Sequence, residues 1–215
     1  MSPTRDLRKL AKSATYRLSV LRKILDSSRG TFAARETRLA VCAVTVEALN
    51  TWANFSRSYY LSSCLGAFLA PLGSITTITP FSSFNDSIGN AVLLYKAYAS
   101  PRSTGIWHRR DEPTWHDPNV LLACCNNIGA SNYTHMTNAL SVGTRFFLDL
   151  PVFRNYCAHK NMQTEGAAQN IAPIYGISAL LQPLNILLSI PIRRYDPLLK
   201  IWLYDIESVV SLLCE

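Results

Sequence analysis

The sequence predicts an all-α protein. Apolar residues recur at three- and four-residue spacing through most of the 215-residue chain, no stretch alternates with the period of two that a half-buried strand requires, and neither Asn-Gly nor Asp-Gly occurs to turn a hairpin. Composition agrees with a folded globular chain: 48% hydrophobic and 16% charged residues supply enough apolar surface for a buried core.

Taken in order, Ser2 and Pro3 form a cap and first-turn pair, and Leu7, Leu10, Ala11, Ala14, Leu18, Leu21 and Leu25 then mark a first helix to about Ser27, ended by Arg29-Gly30. Thr31 is placed to cap a long second helix, with a stripe of Leu39, Cys42, Val46, Leu49 and Ala53 continuing to Tyr60 and Leu61 and stopping before Pro71. Residues 72–82 read as a loop, and a third helix, about 83–99, presents Ile88, Val92, Leu93 and Tyr95. Residues 100–117 carry Pro, Gly and charge and read as an exposed loop. Asp117-Pro118 starts a short helix ending near Gly129, Ser131 starts another ending at Gly143, and Thr144 is placed to cap a helix from Arg145 to about His159. Pro151 should bend that helix without abolishing it. Short helices follow from Thr164 and Ser178, and Asp196-Pro197 introduces a final one over 198–213. With no internal repeat and no break in composition, residues 1–215 are expected to form a single domain, with residues 1–30 as a basic N-terminal helix.

Charge is unevenly distributed. Residues 1–38 hold ten Lys/Arg against three acids, and the remainder holds eleven of each, so the net +7 resides on the N-terminal segment. Such a segment suits phosphate groups, an anionic membrane surface or an acidic partner; the plainer readings are the solvated face of an ordinary helix or a transit segment. Six cysteines without a CxxC pair build no four-ligand zinc site, and they read as the buried thiols of a cytoplasmic protein. The N-terminus has neither the apolar core nor the cleavage site of a secretory signal. Two uncharged stretches, 58–85 and 166–192, are long enough to span a bilayer. Their Pro, Gly and polar residues favour core helices over membrane spans, so no membrane partner is expected.

The segment Phe153-Arg154-Asn155-Tyr156-Cys157-Ala158-His159-Lys160 carries the chemistry. It resembles the Arg-x4-6-His signature of the HEPN ribonucleases, in the form with Asn directly after Arg and a small residue directly before His. The resemblance implies a HEPN-like helical bundle, here with additional short helices, that forms a homodimer. It also implies metal-independent endoribonuclease activity without a cofactor, in a toxin or antiviral defence effector held by an antitoxin or a defence-complex partner. Its catalytic residues would be Arg154, Asn155 and His159.

The residue types fit that chemistry. Asn155 and His159 are four apart on one helix face, so the amide orients the imidazole or holds a phosphate oxygen, and the long Arg154 side chain reaches the same place. His159 would move a proton from the RNA 2′-hydroxyl or to the leaving 5′-oxygen, while Arg154 would stabilise charge on the crowded phosphorus. The plain alternative is a helix-end His with an Arg paired to Asp149 or Glu165. Arg102 with His108 and Arg110 with His116 also match the bare spacing, but they lie in the 100–117 loop and lack the following Asn.

Two further groups of residues accompany the motif. On the second helix Glu47, Asn50, Asn54 and Arg57 fall on one face, either supporting the cleft or forming a solvated stripe. RNA contacts are expected from Arg5, Arg8, Lys9, Lys12 and Lys160, and from Trp107, Arg109 and Arg110 in the loop, where Trp beside Arg could stack on unpaired bases. The two His and two acids of that loop match no standard metal site, and its Trp residues could instead fold back onto the core. A catalytically silent HEPN-like binding or scaffold subunit is the competing function, served equally well by the basic N-terminus.

Overall fold

The computed structural model describes residues 1–31, 34–70 and 72–215, and the chain is all-α. Among the described residues the helices are α1 (Leu7–Thr31), α2 (Ala34–Cys64), α3 (Phe84–Tyr95), α4 (Pro118–Asn127), α5 (Tyr133–Leu140), α6 (Phe146–His159), α7 (Met162–Gln169), α8 (Pro183–Leu188) and α9 (Leu198–Cys214). Among the described residues β1 (Phe68–Leu69) pairs antiparallel with β2 (Gly73–Ser74), and Asp6 forms an isolated parallel bridge with Phe68. None of these helices is long and apolar enough to cross a membrane.

Packing divides the residues into two compact units. The first comprises Met1–Ala14, Trp52–Val142 and Val209–Glu215, the second Thr15–Thr51 and Gly143–Ser208, so α1, α2 and α9 contribute residues to both.

In the first unit the second half of α2 supplies the largest buried side chains, Trp52, Phe55, Tyr59 and Tyr60. Each such burial contributes about 1.5–3 kcal/mol. Tyr59 also meets its polar obligations inside the core: its hydroxyl donates to the Leu213 carbonyl at 3.1 Å and accepts from Asn132 Nδ2 at 2.8 Å. Those two bonds tie the start of α5 and the end of α9 to α2.

In the second unit Trp202 of α9 is fully buried and meets Phe153 of α6 edge-on at 5.6 Å and Tyr175 at 5.9 Å. The buried Asp149 accepts from Arg145 Nε and Nη2 and from the Tyr175 hydroxyl at 2.6 Å, so its charge is compensated at both oxygens. A cleft of about 320 Å³ beside this network is lined by Arg145, Tyr175, Arg194, Trp202 and Asp205, among others. Burial pushes the Asp205 carboxyl above its ordinary 3.8, against the Thr144 hydroxyl that donates to it at 2.8 Å. A carboxyl raised on folding binds protons more tightly in the native state. Stability is therefore expected to decline as pH rises from 3.8 through the raised value, and Asp205→Asn should flatten that part of a profile of melting temperature against pH.

Several boundaries differ from the sequence expectation. The first helix begins at Leu7 instead of Pro3, because residues before it pair with the last turn of α2 and the chain that follows: the Ser62 hydroxyl accepts from Thr4 N at 3.0 Å and the Arg5 carbonyl from Phe68 N at 2.7 Å. Asp6 then caps the helix through Arg8 N. The first helix also runs past Arg29-Gly30 to Thr31, and the expected Thr31 cap of the second lies outside the described residues. The second helix ends at Cys64, ahead of Gly66 at φ +74°. Of its expected stripe Leu49, Tyr60 and Leu61 are buried, but Leu39 is exposed and Cys42, Val46 and Ala53 only half-buried, while Val41, Val44, Ala48, Trp52, Phe55 and Tyr59 also face the core. Small or apolar residues on several faces left the register open, and the large aromatic side chains decide it. At α6, Thr144 donates to Asp205 and does not cap; Arg145 takes the cap position without a side-chain capping bond. Pro151 is accommodated within an unbroken α6.

Candidate active site

The motif occupies the last turns of α6. Phe153 is fully buried and anchors the helix, Arg154 beside it is half-buried, and Asn155 and His159 are exposed, one turn apart on the same face. The turn that follows is tightly defined. Lys160 adopts a left-handed conformation at φ 41° with its N–H bonded to the Tyr156 carbonyl at 2.9 Å. Asn161 and Thr164 then form a reciprocal capping box that starts α7. His159 is thus the final residue of a helix held at its end by a second one.

Arg154, Asn155 and His159 make no side-chain hydrogen bond or ion pair to another described residue. The plain pairing of Arg154 with Asp149 is not formed, since Asp149 is taken by Arg145 and Tyr175. Nor does Glu165 pair with Arg154. Elsewhere in the unit Arg22 binds Glu207 at 2.6 Å and Lys200 binds Asp26 at 3.0 Å, whereas Lys160, directly after His159, makes no ion pair to a described residue. None of the three residues lines the cleft beside Trp202, so a substrate would approach them across the open helix end.

No family model, curated protein or solved structure matches this chain. Its site is therefore read from its own residues.

The polar row of α2 is divided. Glu47 and Asn50 bond to each other at 3.2 Å in the second unit. Asn54 and Arg57 belong to the first, where loop residues engage them: Arg109 donates to Asn54 Oδ1 at 3.0 Å, and Arg57 holds Glu112 through two bonds of 2.5 and 2.9 Å. Glu112 also accepts from Trp115 Nε1 at 2.8 Å. Asn54 and Arg57 are thus engaged by the loop, through a guanidinium and a carboxylate, and not left as a solvated stripe.

Those contacts correct the expectation of an exposed 100–117 loop. Residues 101–106 are exposed, whereas the rest folds back. Trp115 is buried with its ring 5.3 Å from Tyr60, and the His116 carbonyl accepts from Trp52 Nε1 at 2.9 Å. Trp107 is half-buried against Gly89, where an added Cβ would lie 2.5 Å from the indole nitrogen. Its indole thus packs against α3 while part of the residue stays exposed. Arg109 and Arg110 remain exposed. The alternative match at Arg102 and His108 is an internal pair, Arg102 Nε donating to His108 Nδ1 at 3.0 Å. At the N-terminus Arg5, Lys9 and Lys12 are exposed, and Arg8 is exposed with a surface pairing to Asp6 at 3.3 Å.

Two features escaped sequence reasoning. The Arg145, Asp149, Tyr175 and Trp202 network has no sequence signal beyond the Arg145 to Asp149 helical spacing. The second is the interaction of Cys42 of α2 with Cys157 of α6, which lowers the Cys42 thiol and raises that of Cys157. Distance along the chain hid that pair.

Proposed function

We propose that this chain is a HEPN-type, metal-independent endoribonuclease that cleaves RNA by transesterification, acting as a homodimeric toxin or antiviral defence effector under the control of an antitoxin or defence-complex partner. The observation that carries the reading is that Arg154, Asn155 and His159, together at the end of α6, bond to no other described side chain, while the Asp149 carboxylate is taken by Arg145 and Tyr175. A half-buried arginine with no carboxylate partner among the described residues, beside an exposed imidazole and amide, matches what attack of a 2′-hydroxyl on a phosphodiester requires: one proton carrier and one available cation.

In this reading His159 moves the proton of the 2′-hydroxyl or of the leaving 5′-oxygen, Arg154 balances charge on the phosphorane, and Asn155 holds the imidazole or a phosphate oxygen. The open approach to the helix end suits a single strand. A second copy related by a twofold axis would bring two such ends into one cleft. The purified chain is expected to cleave single-stranded RNA in EDTA and to leave 2′,3′-cyclic phosphate and 5′-hydroxyl ends. Strict dependence on a divalent cation would overturn the mechanism, and an inert but RNA-binding chain would favour the silent scaffold.

The basic N-terminus supplies the phosphate contacts in this reading. Charge reversal at Arg5, Arg8, Lys9 and Lys12 is expected to weaken RNA binding and to flatten its dependence on the logarithm of salt concentration by about 0.7 for each phosphate no longer neutralised. An unchanged slope would assign that face to solvent alone.

A further inference from the structure

The cleft beside Trp202, about 320 Å³ and lined wholly by residues of the second unit, contains none of the α6 motif residues. Its volume lies at the lower end of the roughly 300–1,000 Å³ of small-molecule pockets, so it suits a compact ligand. The buried side of the cleft is already satisfied. Arg145 Nε and Nη2 donate to Asp149, and the Tyr175 hydroxyl donates to Asp149 and accepts from Trp202 Nε1 at 3.2 Å. A ligand must therefore find its polar partners among the lining groups that remain.

Two of those groups carry opposite charges. Arg194 is exposed and held at the cleft by a turn in which its N–H donates to the Pro191 carbonyl at 3.1 Å, and its guanidinium pairs with no described carboxylate. Asp205 is half-buried; its Oδ2 accepts from the Thr144 hydroxyl at 2.8 Å, and its other oxygen accepts from no described residue. Both residues line the same cleft without forming an ion pair with each other. Burial disfavours the Asp205 carboxylate, so a cation that reaches its second oxygen supplies the partner that the fold does not.

The remaining wall is apolar. Ile174 and Ile192 line the cleft with 53% and 67% of their surface exposed. Ile192 is nevertheless fixed: its N–H donates to the Tyr175 carbonyl at 3.1 Å, and its side chain rests on Gly176, where an added Cβ would lie 2.7 Å from Cδ1.

We propose that this cleft binds a free α-amino acid with an apolar side chain, Arg194 taking the α-carboxylate, Asp205 the α-ammonium, and Ile174 and Ile192 covering the side chain. A zwitterion of that kind brings one charge to each unpaired group within a small volume, and its apolar part covers the exposed isoleucines. An anion alone leaves Asp205 beside a like charge. A cation alone leaves Arg194 unmet and faces its repulsion. The site is separate from Arg154, Asn155 and His159, and it stands whether or not the chain cleaves RNA.

The test is isothermal titration calorimetry of the intact chain with L-leucine and L-phenylalanine, each compared with its N-acetyl and its amide derivative. At least one of the two amino acids is expected to bind saturably with one site per chain. Blocking either charge should weaken that binding by at least about tenfold, the usual loss when a hydrogen bond to a charged group is removed. Arg194→Gln should weaken the amino acid to a similar degree and leave the amide derivative unaffected, whereas Asp205→Asn should do the same with respect to the N-acetyl derivative. Absence of saturable binding by both amino acids at millimolar concentration would overturn the proposal. So would equal binding of a parent and either of its derivatives, or full affinity in both variants. The comparison of ligands on the unaltered chain decides the matter even if a variant fails to fold.

Discussion

His159→Ala and Arg154→Ala are each expected to reduce RNA cleavage by at least about a hundredfold, the lower end of what a general acid–base group or a transition-state cation contributes. The first removes the proton carrier and the second the charge on the scissile phosphate. Neither side chain is bound to another described residue, and His159 is exposed, so stability should change by no more than about 0.5 kcal/mol. Asn155→Ala should cost less, since water can take the place of an orienting amide. His108→Ala and His116→Ala serve as controls and should leave the chemistry intact. If His108 proves essential while His159 is dispensable, the chemistry belongs to the Arg102 and His108 pair, which the fold holds in direct contact.

Arg57→Ala is expected to destabilise the fold by about 3–5 kcal/mol, because it strands the Glu112 carboxylate without its cation. That side chain is only 6% exposed and is shared between Arg57 and Trp115. For a chain of this length the loss corresponds to a fall in melting temperature of roughly 10 °C. Adding Glu112→Ala should recover part of it, so that the double substitution costs less than the sum of the two single ones. Thermal denaturation of the four proteins reads this directly. Additive losses would mean that the two groups act independently and that Arg57 does not anchor the loop.

These two sets of substitutions separate residues that the sequence alone grouped together. Arg57, Asn54 and Trp107 had the residue types of a binding cleft, and no local pattern distinguishes an arginine that holds a loop carboxylate from one that holds a phosphate. Only the return of residues 107–117 onto α2 makes that distinction, and such a contact lies dozens of residues away along the chain. Helix starts marked by local chemistry were legible: Ser83 accepts from Asp86 N, Asp117 from Asn119 N, and Pro118 opens α4. The first helix misled because its Ser2-Pro3 signal competes with pairing to residues 62–68, a tertiary effect that overrides a local cap. The all-α class was legible because it depends on periodicity summed over many turns. Within the motif, the spacing of Asn155 and His159 on one face can be read from the sequence, whereas the freedom of Arg154 from Asp149 depends on Tyr175 and Arg145, which no spacing rule joins.

The central claim is that the end of α6 is a ribonuclease centre, and one measurement bears on it most directly. The unaltered chain and His159→Ala, prepared identically, are incubated with single-stranded RNA in EDTA, and the new ends are analysed chemically. The account predicts 2′,3′-cyclic phosphate and 5′-hydroxyl ends from the unaltered chain and intact RNA from the variant. Equal cleavage by both proteins, or 5′-phosphate ends that appear only when a divalent cation is restored, would contradict it.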